Sequence, residues 1–347
     1  MDFNLHTVFP VEDRSYLALI KNKIKDIGQE LLLGDTEIGK LNIIATELVT
    51  NLIKFGEHGR EILIKPVVFS EVSGVEIVSI DKGSGAKDPV RMMEDGYSTA
   101  GTKGEGLGAI KRLSDEFDIY SQSTGTIVLA RVFKKTKSLY PKTKEGFEVG
   151  GVMVAKIPET VCGDQWHYVT DDNGLSLAVI DGLGHGKEAN EAAVEAINIY
   201  KENIKSETPD FIVDKIHSGL KKTRGAVGLI IHADNQKKNM IHCGVGNIGC
   251  KVISNYSMEN AKSLILFNGI LGLNVKRMNS TINIWDNTKT MVVHSDGLTS
   301  RWDLHKYPGI LNRHPTIIAA VLYRDFNRRT DDITVVVART KRAINYV

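Results

Sequence analysis

Apolar residues recur at helical spacing over residues 15–33, at Leu17, Ile20, Ile24, Ile27 and Leu31. Gly34 is placed to end the helix they predict. Asp35 can cap a second helix, running to about residue 55, with Ile38, Leu41, Ile44, Ala45, Leu48 and Leu52 on one side. Two strand-like runs follow at 61–69 and 75–80. A glycine-rich loop over 81–104 then leads into a third helix near 105–114. Residues 117–133, with Ser123-Thr124-Gly125 in their middle, read as a hairpin. The stretch 134–145 is basic, polar and without period, which suits a linker.

Beyond it the pattern becomes strand-rich. Strands are expected at 147–157, 165–170, 176–180, 227–232, 240–244, 249–254, 281–285 and 290–294, with a last one at 333–339. Helices are expected at 187–205, 210–221 and 315–326. Many strands with a few long helices predict a sheet-on-sheet core flanked by helices. The expected class is α+β, with one domain over residues 1–137, a linker at 138–146 and a second domain over 147–347.

The 347 residues suffice for two such domains. With 44 basic and 42 acidic side chains the formal charge is +2. The first 140 residues carry 18 basic and 20 acidic groups, leaving 26 and 22 for the rest. Neither part is basic enough to wrap a nucleic acid. Three cysteines, with no CxxC pair, argue against a disulfide framework or a zinc site. The acidic N-terminal stretch lacks an apolar secretory core, and no apolar run approaches the ~20 residues that span a bilayer. The expectation is a cytoplasmic protein.

Two constellations carry chemistry. In the first, Glu47 and Asn51 stand four apart on a helix whose other side is apolar, so they project together. Asp81 ends an apolar strand and opens Asp81-Lys82-Gly83-Ser84-Gly85. Gly104-Glu105-Gly106-Leu107-Gly108 then opens a helix, where glycines let backbone amides approach a phosphate at a helix N-terminus. There is no GxxxxGK[ST], and GEGLG is not the GxGxxG of a dinucleotide fold. Taken together, these boxes resemble the N, G1 and G2 boxes of the GHKL ATPase superfamily, which has a Bergerat α/β sandwich fold. The run GYSTAGTKGEGLGAIKRLSDEFDI over 96–119 is similar to the RsbT branch, small anti-sigma-type serine/threonine kinases. The resemblance spans about residues 10–134. It implies that Asp81 contacts adenine, Asn51 coordinates Mg²⁺ and Glu47 acts as base toward an acceptor hydroxyl. Gly83 and Gly85 would shape the first box, and Gly104, Gly106 and Gly108 would lie against the phosphates of ATP. Lys103 is a candidate phosphate contact, with a solvated lid lysine as the alternative.

The second constellation is a set of aspartates at strand tips. Asp164 sits in Cys162-Gly163-Asp164, and Asp181 ends an apolar strand and opens Asp181-Gly182-Leu183-Gly184-His185-Gly186. Asp296 precedes Gly297-Leu298-Thr299, and Asp331-Asp332 opens the last strand. Strand ends of one sandwich can converge into hard oxygen ligands suited to Mg²⁺ or Mn²⁺, and two such ions can activate water for attack on a phosphoryl group. CGD, VIDGLGHG, HSDGLTS and TDDITVVVAR, with GVGNIG at 244–249 and GILGL at 269–273, resemble the SpoIIE-type, RsbX-like branch of the PPM/PP2C serine/threonine phosphatases. The resemblance covers about residues 147–340 and implies an α-β-β-α sandwich. It also implies that Asp181 bridges two Mn²⁺ or Mg²⁺ ions with help from the Gly182 carbonyl, that Asp296 and Asp331 complete the second site, and that Asp164 binds directly or through water. The sequence does not separate Asp331 from Asp332. His185 has two readings, a general acid or part of a tight glycine turn.

Together the resemblances imply a phosphatase fused to an ATP-binding kinase-like domain. It would act on a phosphorylated partner protein, a STAS-type anti-sigma-factor antagonist or a stressosome-like scaffold. A phosphatase gated by nucleotide without phosphate transfer, and a non-catalytic scaffold, are the alternatives.

Overall fold

The computed structural model describes residues 2–69, 72–85, 106–135, 146–204, 208–255, 261–276 and 278–341. The chain divides into two compact units. One comprises Met1–Pro141 with Asn312–Arg324, the other Lys142–Leu311 with Asp325–Val347. Among the described residues no helix is long and apolar enough to cross a membrane.

The first unit holds an antiparallel sheet in the order β1 (Thr7–Pro10), β2 (Glu61–Phe69), β3 (Val72–Ile80), β5 (Gly125–Phe133), β4 (Glu116–Gln122). Helices α1 (Tyr16–Glu30), α2 (Asp35–Phe55) and α3 (Gly106–Leu113) belong to this unit. Ile20, Ile24, Ile27, Leu41, Ile44 and Leu48, at the helical spacing seen in the sequence, bury against Ile62, Ile64, Val75, Ile77 and Ala130 of the sheet. Strand β1 was not expected. Four residues are too few to show alternation, and its place comes from pairing, as in Val8 opposite Leu63.

Side chains alternate across a sheet, so Ile64, Ile77 and Ala130 on the helix side put Lys65, Glu76 and Arg131 on the other. An antiparallel sheet commonly leaves such a polar face in water. Here Glu76 is fully buried, and Lys65 and Arg131 nearly so. A helix from far along the chain, α6 (Pro315–Phe326), contributes residues 315–324 to this unit, and Arg131 Nη2 donates to Thr316 Oγ1 at 3.0 Å. Glu76 accepts from Arg131 Nε at 2.7 Å and meets His6 Nε2 at 3.0 Å. Burial alone would raise the Glu76 carboxyl, but Arg131, Lys65 and His6 outweigh it and hold it well below the usual carboxylate range.

The second unit holds two five-stranded antiparallel sheets. One runs β13 (Thr281–Ile284), β10 (Asn239–Val245), β9 (Ala226–Asp234), β8 (Gly174–Gly182), β7 (Asp164–Thr170). The other runs β12 (Lys262–Ser263), β11 (Gly249–Ser254), β14 (Lys289–His294), β15 (Ile333–Thr340), β6 (Phe147–Val154). Helices α4 (Lys187–Asn203) and α5 (Pro209–Gly219) bury Ala193, Ala196, Ile212 and Ile216 against Ala178, Ile180 and Ile230 of the first sheet. The helix expected at 315–326 forms as expected, but its residues to Arg324 group with the first unit instead of a continuous second domain. Most of the expected linker, residues 138–145, lies outside the described residues.

Candidate functional sites

In the first unit, α2 presents Glu47 and Asn51, both half-buried, one turn apart along the flank of its core stripe of Leu41, Ile44 and Leu48. The start of α3 comes directly against them. A Cβ on Gly106 would stand 2.9 Å from Glu47 Oε2 and 3.8 Å from Asn51 Oδ1, so only a bare backbone fits there. Gly108 is buried within α3. At the end of β3 the Asp81 side chain turns back on its own loop, where Oδ1 accepts from Gly83 N at 2.7 Å and from Thr126 N at 3.3 Å. Gly83 packs so close to the end of α2 that a Cβ would lie 2.9 Å from the Phe55 carbonyl. Gly85 adopts a φ of +68° beside the Gln122 carbonyl. Burial pushes the Asp81 carboxyl above its usual range, against its backbone donors and Arg324. The sequence-expected residues Lys103 and Gly104 lie outside the described residues.

In the second unit, Asp164 at the start of β7 is the cross-strand partner of Asp181 near the end of β8. Both carboxyls are raised. Burial and then Ser295, Asp332 and Asp296 act on Asp164, leaving it at about 7. Burial and then Asp164, Asp296, Asp331 and Asp332 push Asp181 well above the usual range. Ser295 Oγ donates to Asp164 Oδ2 at 2.7 Å, and Asn247 Nδ2 donates to Asp296 Oδ2 at 2.9 Å. Gly182 has no room for a side chain, since a Cβ would fall 2.1 Å from the Ala189 carbonyl.

Asp331 and Asp332 differ in ways the sequence does not show. Asp332 is buried, and its two carboxylate oxygens accept from Lys156 N and Gly163 N, each at 2.8 Å. It ties three loops together. Asp331 is half-buried and accepts the Asp332 amide through Oδ1. His185 is exposed at the head of α4, with Nδ1 2.9 Å from Glu159 Oε1. All three cysteines are buried, and Cys162 Sγ donates to the Val154 carbonyl at 3.8 Å.

Sequence reasoning assigned no role to Asn247, Ser295, Lys156 or Arg324. GVGNIG marked the place of Asn247. HSDGLTS contains Ser295, and nothing local marks Lys156 or Arg324. Among the described residues no three His, Cys, Asp or Glu side chains close into a metal-holding group as they stand. The chemistry of the set still suits hard cations, because mutually repelling carboxylates at one sandwich end are all-oxygen donors whose charge a divalent ion neutralises.

The fold and these boxes define the class, a histidine kinase-like ATPase domain joined to a PP2C-like fold. The family model of the histidine kinase-like ATPase domain matches residues 9–132. The chain is 34% identical over 97 residues to the serine/threonine-protein kinase RsbT of Bacillus subtilis, covering 28% of this chain and 72% of RsbT. It therefore belongs to the RsbT-like family of partner-switching regulators, here in a two-domain form. It is also 29% identical over 140 residues to the phosphoserine phosphatase RsbX of the same organism, covering 40% of this chain and 69% of RsbX. A solved chain from work on the bacterial stressosome, a modular system adapted to control secondary messenger signalling, superposes with a TM-score of 0.52 at 28% identity. It covers 56% of this chain and 99% of its own.

Proposed function

We propose that the second unit hydrolyses phosphoserine or phosphothreonine on a partner protein and that the first binds ATP·Mg²⁺ and phosphorylates the same or a related partner. The partner class would be a STAS-type antagonist or stressosome-like scaffold in the cytoplasm. The observation that carries the phosphatase reading is the cross-strand pairing of Asp164 with Asp181, with Asp296, Asp331 and Asp332 near enough for their charges to raise the Asp181 carboxyl after burial does.

Two Mg²⁺ or Mn²⁺ ions bound there would supply activated water and neutralise phosphate charge. The chain's own part is to hold the ligands. Asp181, Asp296 and Asp331, with the Gly182 carbonyl, would hold the ions, and Asp164 would bind directly or through water. Ser295 and Asn247 orient two of these carboxylates through hydrogen bonds. Asp332, occupied by backbone amides, favours Asp331 as the ligand. The pairing of His185 with Glu159 at a helix start favours the turn reading for that residue.

In the first unit, Asn51 would hold Mg²⁺, Gly106 and Gly108 would let the α3 N-terminus meet phosphates, and Asp81 would accept from the adenine amine. Glu47, which borders the Gly106 backbone, would take the proton of the acceptor hydroxyl. The test has two arms. Asp181→Asn and Asp296→Asn should lower Mn²⁺-dependent hydrolysis of p-nitrophenyl phosphate or a phosphoprotein by more than about 100-fold. Activity surviving in either defeats the metal reading. Glu47→Ala should abolish transfer of labelled phosphate to the partner, and transfer at the wild-type rate defeats the base assignment. A second reading, nucleotide gating of the phosphatase without transfer, is favoured by the placement of residues 312–324 in the ATP-binding unit.

A further inference from the structure

The helix α6 is written into the chain between two of the aspartate motifs, HSDGLTS and TDDITVVVAR, yet its residues to Arg324 fold with the nucleotide-binding unit. Its contacts there are specific. Just ahead of it, Arg313 Nη1 and His314 N donate to the Asp118 carboxylate at 3.2 and 2.7 Å. Tyr323 OH donates at 3.0 Å to Oε2 of Glu61, the first residue of β2. Glu61 lies opposite Ile80, immediately before Asp81. Arg324, only 4% exposed, donates through Nη1 to the Asp81 carbonyl at 3.4 Å and through Nη2 to Thr124 Oγ1 at 3.2 Å. Gly125, at a φ of +127°, makes room for this contact, since a Cβ there would lie 2.0 Å from Asp81 O and 2.9 Å from Arg324 Nη1.

We propose that Arg324 is a positioning residue of the nucleotide site, holding the Asp81 backbone and thereby the carboxylate that meets the adenine amine. The inference rests on the reading of Asp81 as the adenine contact. Two consecutive α6 residues hold the start of β2 and the Asp81 backbone, so the residue that carries the carboxylate is fixed through its main chain. The guanidinium also favours its charged, hydrogen-bond-accepting form, opposing burial and the nearby Glu57. The ATP site of this chain is then complete only when the segment from its phosphatase half is in place.

The experiment compares Mg²⁺-dependent binding of ATP and of purine riboside triphosphate, which lacks the amino group, to the full chain by calorimetry. Wild type should prefer ATP by about tenfold, the worth of one hydrogen bond to a charged group. Arg324→Ala should cut the preference to within about threefold, Arg324→Lys should restore part of it, and Thr124→Val, at an exposed turn, should give an intermediate value. A merely structural loss would weaken both ligands equally and leave the ratio unchanged. That result, with Asp81→Asn losing the preference, overturns the role of Arg324. A preference absent in wild type or unchanged in Asp81→Asn instead overturns the reading of Asp81 itself.

Discussion

Arg131→Met isolates what the buried charges beneath the first sheet contribute. Glu76 has no exposed surface, and Arg131 meets it through both Nε and Nη2. Removing one partner of such a pair leaves a buried charge uncompensated, at a cost of about 3–5 kcal/mol. Lys65 Nζ at 3.8 Å and His6 Nε2 at 3.0 Å still face Glu76, which puts the expected loss near the lower end, about 3 kcal/mol. That corresponds to roughly 100-fold in an opening equilibrium. All three tryptophans, Trp166, Trp285 and Trp302, lie in the second unit, so their fluorescence does not report this change. Hydrogen exchange at β3 and β5 does. Arg131→Met should reduce protection there by about two decades, and Glu76→Gln in the same chain should recover at least about tenfold. The pH response has a definite sign. A carboxyl held low in the fold adds stability above its unfolded pKa, and that contribution is lost as pH falls through the folded value. Without Arg131 burial raises the Glu76 carboxyl, so this acid-dependent loss should shrink. Exchange within threefold of wild type in Arg131→Met, or no recovery in the double variant, refutes the argument.

Asn247→Ala should raise the Mn²⁺ concentration for half-maximal hydrolysis by about 10–100-fold, since it releases one oxygen of Asp296. An unchanged metal titration removes Asn247 from the site. The carboxyls of Asp164 and Asp181 predict the reverse pH trend for chelated protein. Their raised values give stability that is full below the unfolded value of 3.8 and is lost as pH rises, for Asp164 through about 7. Tryptophan fluorescence in urea with EDTA should therefore show the second unit weakening from pH 5 to 8. Asp164→Asn should flatten that decline, and a decline as steep in the variant counts against it.

Much of the fold is legible locally. The α1 and α2 stripes, the hairpin of β4 and β5 and the apolar strands of the second unit each bury one set of residues with a fixed period, so pattern and structure coincide. The glycines of both constellations are legible for a related reason. A bare Cα is required where Gly106 meets Glu47 or Gly182 meets Ala189, and that requirement is written as residue type. Strand β1 is too short for a period, and β12, at two residues, is shorter still.

What the sequence alone determined is therefore most of the regular elements and the glycines that close backbone approach requires. Tertiary structure decided who meets whom. It separated Asp332, spent on backbone amides, from Asp331, and it joined Asn247 to Asp296 across 49 positions. It also turned the polar face of the first sheet into a buried network by bringing in α6, and set Arg324 behind Asp81 from 243 positions away. Such contacts follow from how surfaces pack, and packing at that separation leaves no period and no neighbouring residue to read.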